Sequence, residues 1–311
     1  MTETPQAAPG DPAGALMDGL VDDAGLFPPT ALDMADAVAR HREDVAVAHP
    51  MLTQRFLCPA SRVGELRGHL RPGDRFRVGL IADGGADGLQ ATVDEIAGDD
   101  RLELALVEFP LRATGQTEPA AAARAAALAV DATGVPEGVP LYLEPVRLAE
   151  AAALADAVAA RPGTSAGRTV GVKFRCGGVS AELFPEPEEL AGALLAAVGH
   201  GVPVKATAGL HHAVRHTDQG TGFVHHGYLN LVLATADAVA GTAVDGVADT
   251  LRGSDADTLA VRARSLDAAT VAATRRVLRS YGSCDTRVPV AEAAELGLMR
   301  QRDERERLSA T

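Results

Sequence analysis

The sequence predicts an α/β fold of the (β/α)8 barrel type, the TIM barrel, in which eight parallel strands alternate with helices. Three observations predict it. Short β-branched or leucine-rich runs alternate with Ala, Leu, Glu and Arg segments of helical length, and the pair recurs seven times. No glycine-rich nucleotide turn of the doubly wound kind follows the first strand. Finally, 311 residues with 47% hydrophobic content suit one barrel-sized core, alone or with an appendage.

In chain order, a first strand is expected within residues 20–27 (LVDDAGLF), stopped by Pro28 and Pro29, with Thr30 placed to cap the helix ALDMADAVARHRED. The second strand falls at residues 54–58, after which Ser61 caps SRVGELRGHL and RPGD turns the chain into a third strand at 76–82. Helix DGLQATVDEIAG leads to a fourth strand at 102–111, and the alanine-rich AAAARAAALAVDATG precedes a fifth from Val139 (VPLYLEPV). A further alanine-rich helix precedes strand six at 170–175, PEELAGALLAAVGHG precedes strand seven at 202–207, and residues 222–240 read as helix. The eighth strand is the weak point: 242–254 is turn-rich, which leaves TLAVRAR at 258–264 and predicts a late or irregular closure. The segment LDAATVAATRRVLRSYG reads as helix. The expected organisation is a disordered tail at 1–16, the barrel at 17–264, a C-terminal helical layer at 265–299 and a solvated tail at 300–311.

Composition excludes several function classes. A net charge of −13, a pI near 5.1, no Trp and 3% aromatics argue against nucleic acid and anionic membranes as partners. The N-terminus lacks the basic and apolar regions of a signal peptide, and no stretch is apolar enough to span a bilayer. Cys58, Cys176 and Cys284 are too few and too scattered for a disulfide framework or a CxxC metal site, so reduced thiols and a cytoplasmic location are expected. Homo-oligomerisation is left open.

The chemistry-bearing signal is a scarcity. Only two of the 29 basic Lys and Arg residues are lysines, Lys173 in VKFR and Lys205 in VPVKAT, and each ends a strand-like run that breaks into glycine. A guanidinium stays protonated, whereas an amine can be desolvated, deprotonated and made nucleophilic. The C-terminal rim of barrel strands is where such enzymes place their chemistry. Strand alternation puts Lys173 and Arg175 on one face, and Lys205 and Thr207 likewise. Glu108, Glu144, Asp22 and Asp23 lie near the ends of strands four, five and one. Two neighbouring amines would lower each other's pKa, and an iminium on one would weaken an adjacent C–H or C–C bond while a carboxylate moves protons. The alternatives are fixed cations gripping an anionic group, or structural ion pairs with Glu108 and Glu144.

KFRCG (173–177) and KATAG (205–209) resemble the sixth- and seventh-strand motifs of the deoxyribose-phosphate aldolase group of class I aldolases. The resemblance covers those two motifs and the barrel order, and it implies Lys173 as the Schiff-base lysine and Lys205 as the modulator of its pKa. The family's glycine-rich phosphate pocket is not visible, and HHAVRH stands in its place. The rest of the chain, HHGYLN and YGSC included, looks more like other bacterial barrel proteins than the aldolase proper.

Five of the nine histidines fall between His211 and His226. His212 and His216 with His225 or His226 could form a metal site, but no HExxH-type motif accompanies them. Alternatively His211 and His212 bind a substrate oxygen while His226 and Asn230, four apart, face one direction. The segment VSAELFPEPEE reads as a cover over the site. Together these readings give an aldolase-like lyase acting on a small carbonyl or anionic compound. Lys173, Lys205, Glu144 and Glu108 are its catalytic candidates, and Arg175, Thr207, His211, His212, His226, Asn230 and Asp23 bind substrate. No cofactor or metal is expected. A metal-dependent lyase or hydrolase built on the histidine loop, or a non-catalytic barrel binding an anionic metabolite, is the alternative.

Overall fold

The computed structural model describes residues 12–160 and 168–299. Eight parallel strands close into a barrel: β1 (Val21–Asp23), β2 (Leu52–Pro59), β3 (Phe76–Ile81), β4 (Leu102–Pro110), β5 (Leu141–Glu144), β6 (Val170–Arg175), β7 (Val204–Thr207) and β10 (Leu278–Ser283). The last strand pairs with β7 on one side and β1 on the other, so no edge is left open. A two-residue antiparallel ribbon, β8 (His216–Thr217) and β9 (Val224–His225), interrupts the run after β7.

Helices wrap the outside: α2 (Met34–Val47), α3 (Val63–His69), α4 (Leu89–Ala97), α5 (Pro119–Asp131), α6 (Ala151–Ala159), α7 (Pro187–Gly199) and α8 (Tyr228–Val239) each follow a strand. The main core lies between these helices and the outer face of the barrel, where Tyr228 of α8 stacks on Tyr281 of β10 with ring centroids 5.7 Å apart.

Several expectations are corrected. The eighth strand is not TLAVRAR, which forms α10 (Ala256–Arg264) after α9 (Val244–Arg252) and before α11 (Ala268–Val277). The barrel therefore runs to Ser283 rather than ending at 264, and the segment assigned to an outer helical layer supplies the closing strand before α12 (Arg287–Glu295). Strand β10 escapes a periodicity reading because LRSYGS lacks β-branched residues: small Ser280 and Gly282 sit beside Lys205 and Thr207 of β7, so its pairing comes from its neighbours. At the other end α1 (Pro12–Met17) buries Ala13, Leu16 and Met17, so the last residues of the expected tail are helical; residues 1–11 and 300–311 lie outside the described residues. Asp33, not Thr30, caps α2 by accepting from the Asp36 amide at 2.9 Å. Ser61 caps nothing and instead donates to Asp83 at 2.5 Å. Helix α8 starts at Tyr228 because residues 222–227 belong to the ribbon and its exit.

Candidate active site

Lys173 and Lys205 are register partners on β6 and β7, and both point into the barrel. The glycine four residues beyond each lysine has a packing reason. A Cβ on Gly177 would fall 3.0 Å from Gly209 Cα, and one on Gly209, whose φ is 70°, would fall 2.8 Å from the Cys176 carbonyl oxygen. The two strand ends approach this closely only without side chains there.

Neither amine is free. Lys173 Nζ donates to Glu108 Oε2 at 2.5 Å and lies 2.9 Å from Glu144 Oε2. Lys205 Nζ donates to Asp22 Oδ2 at 2.5 Å and lies 2.8 Å from Glu108 Oε1, an ionic contact without an aligned hydrogen bond. Glu108 on β4 thus bridges both ammonium groups. The row continues outward, with Arg175 Nη2 donating to Glu144 Oε1 at 2.7 Å and Arg55 Nε donating to Asp22 Oδ1 at 2.7 Å. Charges alternate along Arg55, Asp22, Lys205, Glu108, Lys173, Glu144 and Arg175.

This pairing sets the protonation states. Burial alone would push the Lys173 pKa down, but Glu108 and Glu144 together outweigh it and hold the pKa above the ordinary lysine value. The expectation of a lowered Lys173 pKa is therefore overturned for the resting site, because it counted a neighbouring cation and burial but not two carboxylates. Burial pushes the Glu108 carboxyl up, yet Lys173 and Lys205 bring it below the usual range. Glu144 is likewise pushed up by burial and carried down to about 2 by Lys173 and Arg175. Asp22 is held well below its usual value, burial being outweighed by Arg55 and Lys205.

A cavity of about 580 Å³ opens at the C-terminal ends of the strands. Of the expected site residues, Lys173, Arg175, Glu144, Thr207 and His211 line it, whereas Lys205 and Glu108 do not reach its wall. Ala24, Leu57 and Ile81, backed by Phe27, make a separate apolar cluster on the side of the barrel facing β6. The loop after β6, read from the sequence as a cover, lines one side of the mouth and reaches across to the residues around β9. Phe184 packs on Phe223 and His225, with centroids 5.2 and 4.6 Å away, and Leu183 joins it on the cavity wall.

Four expected substrate-binding residues lie elsewhere. Asp23 turns outward and is taken up by Arg40, His41 at 3.0 Å and the Gly25 amide at 2.9 Å; its neighbour Asp22 is the one that faces the barrel interior. His212 is exposed and bound to Glu292 at 2.6 Å. His226 is fully buried, with Nε2 2.8 Å from the Pro185 carbonyl, and so pins the covering loop. Asn230 ties the Arg215 amide to the Thr250 and Gly253 carbonyls. Asp23 faces outward by the alternation of β1, whereas His212, His226 and Asn230 lie beside the ribbon β8–β9 and in the first turn of α8 and are taken up in the packing there. Edge-on contact of His212 with His216, centroids 4.5 Å apart, belongs to the same packing. Among the described residues no group of three or more His, Cys, Asp or Glu side chains is arranged to hold a metal ion.

Sequence reasoning missed Arg112 and Asp83 on the cavity wall, named His225 there only as a metal-ligand candidate, and gave Cys284 no chemistry. Arg112 Nη1 lies 4.0 Å from Glu144 Oε1. Cys284, just past β10, accepts a hydrogen bond from Thr30 at 2.9 Å and lies 3.6 Å from His211 Nδ1. No signal could have placed them without the eighth strand and the loops. All three cysteines are free thiols, and no helix among the described residues is long and apolar enough to cross a membrane.

Fold and site together define a (β/α)8 barrel protein with a charged, covered cavity at the C-terminal rim of its strands. No protein-family model matches the chain, and no curated protein is significantly similar to it.

Proposed function

We propose that the protein is a lyase that forms a Schiff base between Lys173 and a small carbonyl compound, in the manner of the class I aldolases its lysine motifs resemble. The observation that carries this reading is the inequality of the two amines: Lys173 borders the cavity, whereas Lys205 is fully buried behind it. A nucleophile must be reached, and a neighbour that tunes charge need not be.

Lys173 starts as an ammonium ion. A neutral carbonyl compound that displaces water from the cavity makes separated charges costlier, so the proton passes along the 2.5 Å contact to Glu108, leaving an amine and a neutral acid. Glu108 shares its charge with Lys205, and this weakens its hold on Lys173. The amine nitrogen adds to the carbonyl carbon, and its second proton moves to the oxygen to give a carbinolamine. Glu108 returns its proton to that hydroxyl, water leaves and the iminium forms. In the cleavage direction Glu144 takes the proton of a β-hydroxyl, the C–C bond breaks, and its electrons produce an enamine and a free aldehyde. Forming the neutral enamine removes one of the two cations that keep Glu144 ionised. Glu144 then protonates the enamine carbon, and water hydrolyses the resulting iminium.

Arg175, Arg112 and Thr207 suit a carboxylate, hydroxyl or phosphate on the substrate. His211 serves as a neutral hydrogen-bonding group, since burial, then His225 and His212, push its pKa down to about 4. The test is incubation with candidate aldehydes and ketones plus borohydride, followed by peptide mass analysis. An adduct on Lys173 supports the mechanism, and turnover with Lys173 unmodified refutes it.

The raised Lys173 pKa favours a second reading, a non-catalytic barrel whose cations hold an anionic metabolite. Lys173→Arg separates the two, because it retains anion binding and abolishes imine chemistry.

A further inference from the structure

At the opposite pole, the N-terminal ends of the strands frame a second cavity of about 450 Å³. Its wall carries three guanidinium groups, Arg55, Arg77 and Arg279, with Tyr142 and Thr169 between them. In a chain of net charge −13, three cations gathered on one cavity need a counter-charge. Arg55 has one, since it is bound to Asp22 at 2.7 Å and to Ser280 at 2.8 Å. Arg77 donates to the Thr53 carbonyl at 3.3 Å and has a loose surface ion partner in Glu103 at 3.5 Å, and both side chains are about half exposed or more. Pairs of that kind contribute little and exchange readily.

Arg279, at the start of β10, is exposed and interacts with the Tyr142 side chain; among the described residues no carboxylate is in salt-bridge contact with it. The crowding of like charge is visible at its neighbour. Arg275 donates to the carbonyls of Asp18, Gly19, Leu278 and Arg279, and it is pushed down to about 10 by burial and then by Arg279. The chain therefore leaves positive charge uncompensated on a concave surface supplied with hydroxyl groups.

We propose that this N-terminal cavity binds a small phosphate-bearing anion, held by Arg279 and Arg77 with a hydroxyl donor from Thr169. A phosphate suits the surface better than a monocarboxylate, because its several oxygens and higher charge satisfy two guanidinium forks at once. The site is separate from the lysine cavity and does not depend on the reaction proposed there.

Calorimetric titration of the full chain with inorganic pyrophosphate, at fixed ionic strength and with acetate as the control anion, tests the proposal. Saturable binding of pyrophosphate but not acetate is expected. Arg279→Ala should weaken it about tenfold or more. Arg77→Ala, on a different strand, should act in the same direction, and Arg112→Ala at the other mouth should leave it unchanged. Absence of binding, equal affinity in Arg279→Ala and Arg77→Ala, or a loss caused by Arg112→Ala instead would overturn it.

Discussion

Lys173 Nζ donates to Glu108 Oε2 at 2.5 Å while the other oxygen of the same carboxylate faces Lys205 at 2.8 Å. One carboxylate thus holds the reachable amine in its charged state and is also the nearest acceptor for its proton. Changing Glu108 should therefore alter both the resting charge of Lys173 and the speed at which that charge can be shed.

Glu108→Gln removes one of the two carboxylates that raise the Lys173 pKa, so that pKa should fall. The pH above which Lys173 is trapped by an aldehyde and borohydride should move down. An unchanged or raised threshold would show that Glu108 does not govern the amine.

Lys205→Met deletes the buried cation shared by Asp22 and Glu108. Removing one partner of a buried pair leaves uncompensated charge, and a loss of about 3 kcal/mol is expected in urea unfolding. The remaining contacts of Asp22 with Arg55, Thr53 and Ser280 keep the loss from being larger.

Stability should change with pH in three windows. His211 and His226, both near 4 when folded against an ordinary 6.5, contribute stability that is complete above 6.5 and is lost as pH falls toward 4. Each adds a slope of about 1.4 kcal/mol per pH unit in that range. Glu144, near 2 against 4.5, loses its contribution between those values as pH falls. Lys173 is raised above 10.5, so its contribution is complete below that pH and disappears as pH rises through the folded value. Urea midpoints from pH 3 to 7 should show the histidine slope, and His226→Gln should flatten it.

A thiol reagent at neutral pH should label Cys284 alone. Burial pushes Cys58 and Cys176 up to about 12, so both remain protonated and enclosed, whereas Cys284 lines the cavity. Phe184→Ala should speed the labelling by opening the cover that Phe184 makes with Phe223 and His225. Peptide mass analysis over time measures both effects.

Much of this arrangement is legible in the chain itself. The β6 strand matches its expected residues from Val170 to Arg175, and the alternation within VKFR puts Lys173 inside the barrel as read. Strand period and glycine punctuation are local properties, so they survive without knowledge of the fold. Asp22 and Asp23 show where local reading stops. Adjacent residues on a strand face opposite sides, and nothing in VDDAG says which aspartate is inside.

The sequence by itself determined a barrel of alternating strands and helices, two lysines at neighbouring strand ends, and glycines that let those ends meet. Only the tertiary structure decided that LRSYGS closes the barrel, that Glu108 bridges the amines, and that His212 and His226 turn away from the cavity. The division has one physical cause: hydrophobic period and turn chemistry act over a few residues, whereas ion pairs and strand closure join positions as distant as Asp22 and Lys205.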